Sequence, residues 1–169
     1  MRLSRIDLLI QRGIIVEIKT SDLIGPALDW AVAKCEGFTP VEHTRLATVM
    51  VERKNARGVM QPEHISALCF STNWSLGGPI IERECLAIFP GIYVKPMFWC
   101  AVQVPGGSQP FSLRDLDGEA AWYFTEDEVM VGPTPLVAAM RCLVASKLGD
   151  EVEVPEELIP NNSYCVSVA

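Results

Sequence analysis

The run Glu82-Arg83-Glu84 places two carboxylates around a guanidinium. Read as extended chain, it puts Glu82 and Glu84 on one face and Arg83 on the other. Paired carboxylates can share a proton in a hydrolytic reaction, hold a metal, or clamp a cation; the plain alternative is a charged strand end in water. Just upstream, Gly77-Gly78-Pro79 predicts an irregular loop in which glycine takes positive φ. Trp74 stands beside it, where a core role is not automatic. No Lys-Ser/Thr and no helix start follows these glycines, as a phosphate loop would need. His43 and His64 are the only histidines, and neither has a second ligand at helical spacing, so no metal and no cofactor is expected. The six cysteines, at 35, 69, 85, 100, 142 and 165, form no CxxC pair. They read as reduced, mostly buried thiols, with Cys69 the least clearly buried. No catalytic residue is assigned.

The element that must position this run is a helix over 134–148, with Thr134 as cap, Pro135 in the first turn and Gly149 as the stop. Leu136, Val137, Met140, Leu143, Val144 and Leu148 form a bulky arc, and Ala138, Ala139, Cys142 and Ala145 a small one. A helix apolar nearly all round is buried on both sides. Its small arc can face its own sheet or another subunit, so a homo-oligomer stays open. Arg141 falls between the arcs, where a charge needs a partner, and Glu82 or Glu84 is the expected one; the alternative is an Arg that snorkels to water.

A second helix runs from Gly25-Pro26 to Gly37, with Leu28, Ala31, Val32 and Cys35 as its core stripe. Asp29 and Trp30 lie off that stripe, which suits a second packing layer or a site. Strands are expected at 14–19, 46–52, 85–89, 98–104, 121–124 and 128–131, and a helical turn within 61–68. Clustered strands with separate helices predict a single α+β domain, an antiparallel sheet with two main helices packed on it. Its bounds are read as 16–150, with an N-terminal extension over 1–15 and an acidic C-terminal tail over 151–169.

Length and a hydrophobic share of 49% suit one folded domain. No apolar run reaches the roughly 20 residues of a membrane span, and the opening segment lacks a signal-peptide pattern. Of the net charge of −7, residues 111–169 carry −8, from three basic against eleven acidic residues. That argues against nonspecific nucleic-acid binding through this part. The cluster Arg53, Lys54 and Arg57 is too small to reverse it.

Three blocks, SDLIGPALDWAVAKCEG at 21–37, FSTNWSLGGPIIERE at 70–84 and GPTPLVAAMRCLVASKLGDEVEVPEEL at 132–158, resemble the NinX-like family of phage and prophage proteins. Ile24 departs from the Thr usual there. The resemblance implies a phage or prophage origin and the bacterial cytoplasm, and it carries over no catalytic residue. The leading expectation is an accessory protein that binds an unknown host or phage protein through Trp74, Gly77, Gly78, Pro79, Glu82, Arg83, Glu84 and Arg141, with Asp29 and Trp30. Alternatives are a binder of a small anionic, nucleotide-like ligand that counters host defence, and a hydrolase using Glu82 and Glu84 or a cysteine.

Overall fold

The structure, a computed structural model, describes residues 15–40, 50–91, 98–103 and 129–160. In chain order it holds β1 (Ile15–Lys19), α1 (Gly25–Cys35), β2 (Thr39–Pro40), β3 (Met50–Lys54), β4 (Met60–His64), α2 (Trp74–Arg83), β5 (Leu86–Gly91), β6 (Phe98–Gln103), β7 (Met130–Gly132), α3 (Pro135–Leu148) and β8 (Glu151–Pro155). The fold is a single α+β domain, as the clustered strands predict. Among the described residues, three small antiparallel sheets, ordered β1-β8, β2-β3-β4 and β5-β6-β7, stand in place of one, and a third helix joins the expected two.

α3 is the centre of the packing. The Thr134 hydroxyl accepts from the Val137 amide at 3.2 Å and so caps its first turn, and Gly149 ends it at φ +96. Cys142, on the small arc, lies against Gln103 of β6. This face packs on the β5-β6-β7 sheet, while α1 and α2 also pack on α3. Eight of its side chains from Leu136 to Val144 are buried, as an all-round apolar helix requires. Leu148, at the end of the bulky arc, is exposed. Gly132 lets β7 turn tightly into the helix: a Cβ there would stand 2.5 Å from the Ala138 nitrogen.

Other readings shift. The glycine-rich segment is not an irregular loop but the body of α2, and neither Gly77 nor Gly78 has positive φ. The Asn73 side chain accepts from the Ser75 amide at 2.9 Å and starts the helix, and Pro79, in its second turn, is exposed, so the one lost amide bond leaves a carbonyl that water can reach. Gly77 serves close approach instead: its Cβ would lie 2.6 Å from the Phe70 carbonyl oxygen and 2.7 Å from Leu136 Cδ2. The helical turn expected within 61–68 is there, but shorter than the segment. The segment begins in β4, paired with β3, and only Ile65–Ala67 makes a short 3-10 turn. Pro62 is tolerated because β4 is an edge strand. Residues 151–155, assigned by sequence to the acidic tail, pair with β1 from Ile15↔Pro155 to Lys19↔Glu151. The alternation Glu-Val-Glu-Val is a strand pattern: Val152 and Val154 are buried and Glu151 and Glu153 exposed. The N-terminal extension as far as residue 14, the strand expected at 121–124, His43, Cys165 and the rest of residues 161–169 lie outside the described residues.

Candidate functional site

Each helix starts with its own stop-and-start signal: Gly25-Pro26 for α1, Asn73 for α2, Thr134-Pro135 for α3. The fold brings all three starts together. Ile24, Gly25, Ser71, Thr72, Trp74 and the run from Pro133 to Val137 line one groove of about 510 Å3. None of these residues is charged. The helix ends meet as well. Arg83, in the last turn of α2, pairs with Glu36 at the C-cap of α1. Glu84, the C-cap of α2, accepts from Arg83 Nε at 3.1 Å and from Lys147 Nζ, in the last turn of α3, at 2.7 Å. The three helices therefore run in the same direction, with their positive dipole ends at the groove and their negative ends in the ion-pair network.

At the groove, Trp74 is 56% exposed and Ile24 41% exposed, two large apolar side chains left on its rim. α2 and α3 carry side-chain caps, but Ile24 has none to offer α1. None of these three α-helices has an acidic residue in its first turn. Behind the wall, the Ser71 amide donates to Asp29 Oδ1 at 2.7 Å, tying the start of α2 to α1. Asp29 is buried, and burial pushes its carboxyl above the ordinary range, against the opposing hydrogen bonds from Ser71 and Phe70. The Ser71 hydroxyl lies near enough to favour the charged carboxylate but outside hydrogen-bond geometry. Trp30 is buried too, its indole nitrogen without a partner among the described residues.

The residues singled out in the sequence thus divide. Trp74 lies in the groove, with Gly78 close beneath its ring. Gly77 is buried against Leu136, a groove wall, and Asp29 supports that wall through Ser71. Trp30 and Pro79 are not among the lining residues. Glu82, Arg83 and Glu84 stand at the far end of α2, about 13 Å along the helix from Trp74 at 1.5 Å per residue. The helix also overturns the extended reading of Glu-Arg-Glu, which put the two carboxylates on one face.

Arg141 does not meet Glu82 or Glu84. Its Nε donates to the Leu23 carbonyl at 2.8 Å and Nη1 to the Val131 carbonyl at 2.6 Å. Desolvation lowers its pKa, and Asp22 nearby opposes that. The expected junction between α3 and Glu84 exists, but Lys147 makes it, because α2 ends beside the last turn of α3 rather than its middle.

Burial pushes the Cys35 and Cys142 thiols up to about 11 and raises Cys100, so these sulfurs stay protonated at neutral pH. His64 Nδ1 is engaged by the hydroxyl and amide of Ser66. Among the described residues, no three His, Cys, Asp or Glu side chains gather as a metal site would need. A second depression, of about 560 Å3, lies beside Lys19, Thr20, Asp150 and Glu151. Its one buried polar group is already spent, since the Thr20 hydroxyl donates to the Gly149 carbonyl at 2.7 Å.

Sequence reasoning missed Ile24, Ser71, Thr134 and Leu136 as groove walls. The signal was present in the three helix starts, but nothing in the chain says that they share one end.

Fold and groove together define a small α+β protein built on three parallel helices, and no helix among the described residues is long and apolar enough to cross a membrane. Residues 19–147 match the protein family described as Bacteriophage P22, NinX, and the chain belongs to that family of phage proteins. No curated protein matches the chain.

Proposed function

We propose that the chain is a phage accessory protein that works by binding in the cytoplasm of the host cell, and that its ligand is a small molecule joining a flat apolar group to an anion. The observation that carries this is the convergence of three helix N-termini, none with an acidic first turn, on an uncharged groove edged by an exposed Trp74. Helix N-termini favour anions through free amides and the macrodipole. An indole face offers stacking for a base or another aromatic ring. At about 510 Å3 the groove is of small-ligand size. Trp74, with Gly78 beneath it, takes the ring. The α1 start at Ile24 and Gly25, which no side chain caps, takes the anion. Asp29 and Gly77 support the walls, and the charged set Glu82, Arg83 and Glu84 holds the opposite end together.

The test is calorimetric titration with adenosine 5′-monophosphate, adenosine and 1-anilinonaphthalene-8-sulfonate. Both anions should bind, the nucleotide tighter than its nucleoside by roughly tenfold, about 1.4 kcal/mol, as expected of a charge on several helix N-termini. Trp74→Ala should abolish binding. Equal affinity for nucleotide and nucleoside, or binding indifferent to Trp74, would sink the reading.

A further inference from the structure

The groove has two walls that belong to chain segments far apart in sequence. One is the entry to α1, Ile24 and Gly25; the other is the turn from β7 into α3, Pro133 and Thr134. The residue immediately before the first wall is Leu23, and Val131 stands two residues before the second. Arg141, half-buried on α3, bonds the carbonyls of both: Leu23 at 2.8 Å and Val131 at 2.6 Å. We infer that Arg141 is the positioning residue of the groove, a strut that fixes the α1 entry against the β7–α3 turn without touching the occupant. This rests on the groove being the binding site.

Two features make the strut necessary. A helix start is usually fixed by a side-chain cap, which orients the preceding residue. Thr134 and Asn73 do this for α3 and α2, but Ile24 makes no side-chain cap bond, so the guanidinium bond to Leu23 fixes the chain where a cap would. The planar fork also sets both bonds from one rigid group, which an ammonium on a flexible stem cannot do. With no carboxylate bonded to it among the described residues, the guanidinium spends its charge on backbone oxygens, as charge-assisted bonds stronger than neutral ones.

The test combines Arg141→Gln and Arg141→Lys with hydrogen exchange and titration. In Arg141→Gln, amides of 23–25 and of Val131, Gly132 and Thr134 should exchange faster together, while β5 keeps its protection, a local opening rather than global unfolding. Arg141→Lys should fall between, and it carries the test should the Gln variant fail to fold. Loosened walls populate the competent groove less, so adenosine 5′-monophosphate should weaken roughly threefold to tenfold and adenosine no more than that. A loss of nucleotide binding with exchange unchanged in both segments would make Arg141 an anion contact and overturn the strut. Unchanged exchange with unaltered binding would overturn it too, as would exchange accelerated equally in β5. If the wild type binds neither probe, the proposed function fails, and the paired exchange alone decides whether Arg141 holds the walls.

Discussion

The two ends of the three-helix layer receive opposite treatment. At the C-terminal end, Arg83 and Lys147 sit in the last turns of α2 and α3 and tie all three helices through Glu36 and Glu84. At the N-terminal end, the groove-lining residues among those described carry no charge, and the chain leaves Trp74 and Ile24 in water. Parallel dipoles side by side repel, so each end needs opposite charge to settle it. An acidic protein, with 21 Asp and Glu, has abundant carboxylates for the positive end and places none in any of the three first turns. Stability alone would fill that end, and a site that takes its counter-charge from outside would leave it open.

The largest expected effect tests whether the groove end is built to shape. Gly77→Ala drives a methyl against the Phe70 carbonyl oxygen and Leu136. Only Leu136 can yield, so the cost should be about 2–3 kcal/mol in a denaturant melt. A neutral result would mean that α2 and α3 are free to separate at that end.

Next is a change that makes the two ends alike. Ile24→Asp gives α1 the cap it lacks and a carboxylate at the positive end. It should raise stability by about 1 kcal/mol. Affinity for adenosine 5′-monophosphate should fall at least as far as that for adenosine rises or holds. A variant that is both more stable and equally good at binding the nucleotide would place the anion elsewhere.

Trp74→Ala and Arg83→Ala form a matched pair on one helix. The first removes a mostly exposed ring and the second an exposed cation, so each should change stability by no more than about 1 kcal/mol. Only the Trp74 variant should lose ligand. If Arg83→Ala lost it equally, the two ends would act as one site, as the sequence first suggested.

That first suggestion shows where legibility stopped. The central helix, its caps, its two packed faces and the α+β class follow from apolar spacing and turn residues, which act locally. α2 was hidden because Gly77, Gly78 and Pro79 are poor helix formers. They are tolerated because Asn73 caps the start and Phe70 and Leu136 demand a residue without Cβ. Such a demand comes from a neighbour distant in sequence, and no local pattern carries it. Arg141 repeats the lesson: sequence shows that a charge needs partners, but backbone carbonyls serve as well as carboxylates, and they leave no trace in composition. The acidic β8 reads as a tail for a third reason, since four residues of alternating Glu and Val before Pro155 give little pattern until β1 lies beside them.

The smallest effects lie in pH, and here the ends should differ in sign. Asp29, behind the groove, has its folded pKa raised above the ordinary value of 3.8, first by burial. Its contribution to stability is therefore fully present below that value and lost as pH rises through the raised one. Glu84, at the ion-paired end, has its folded pKa lowered from 4.5, first by the hydrogen bond from Lys147 and then by that from Arg83. Its contribution is present above 4.5 and lost as pH falls through the lowered value. Measured by urea melts on the acid side of neutrality, wild type should gain on Asp29→Asn as pH falls and lose ground to Glu84→Gln over the same descent. Slopes of the same sign would mean that the carboxylate behind the groove is held by its hydrogen bonds more than it is penalised by burial, and the contrast between an uncharged end and a charged end would go with it.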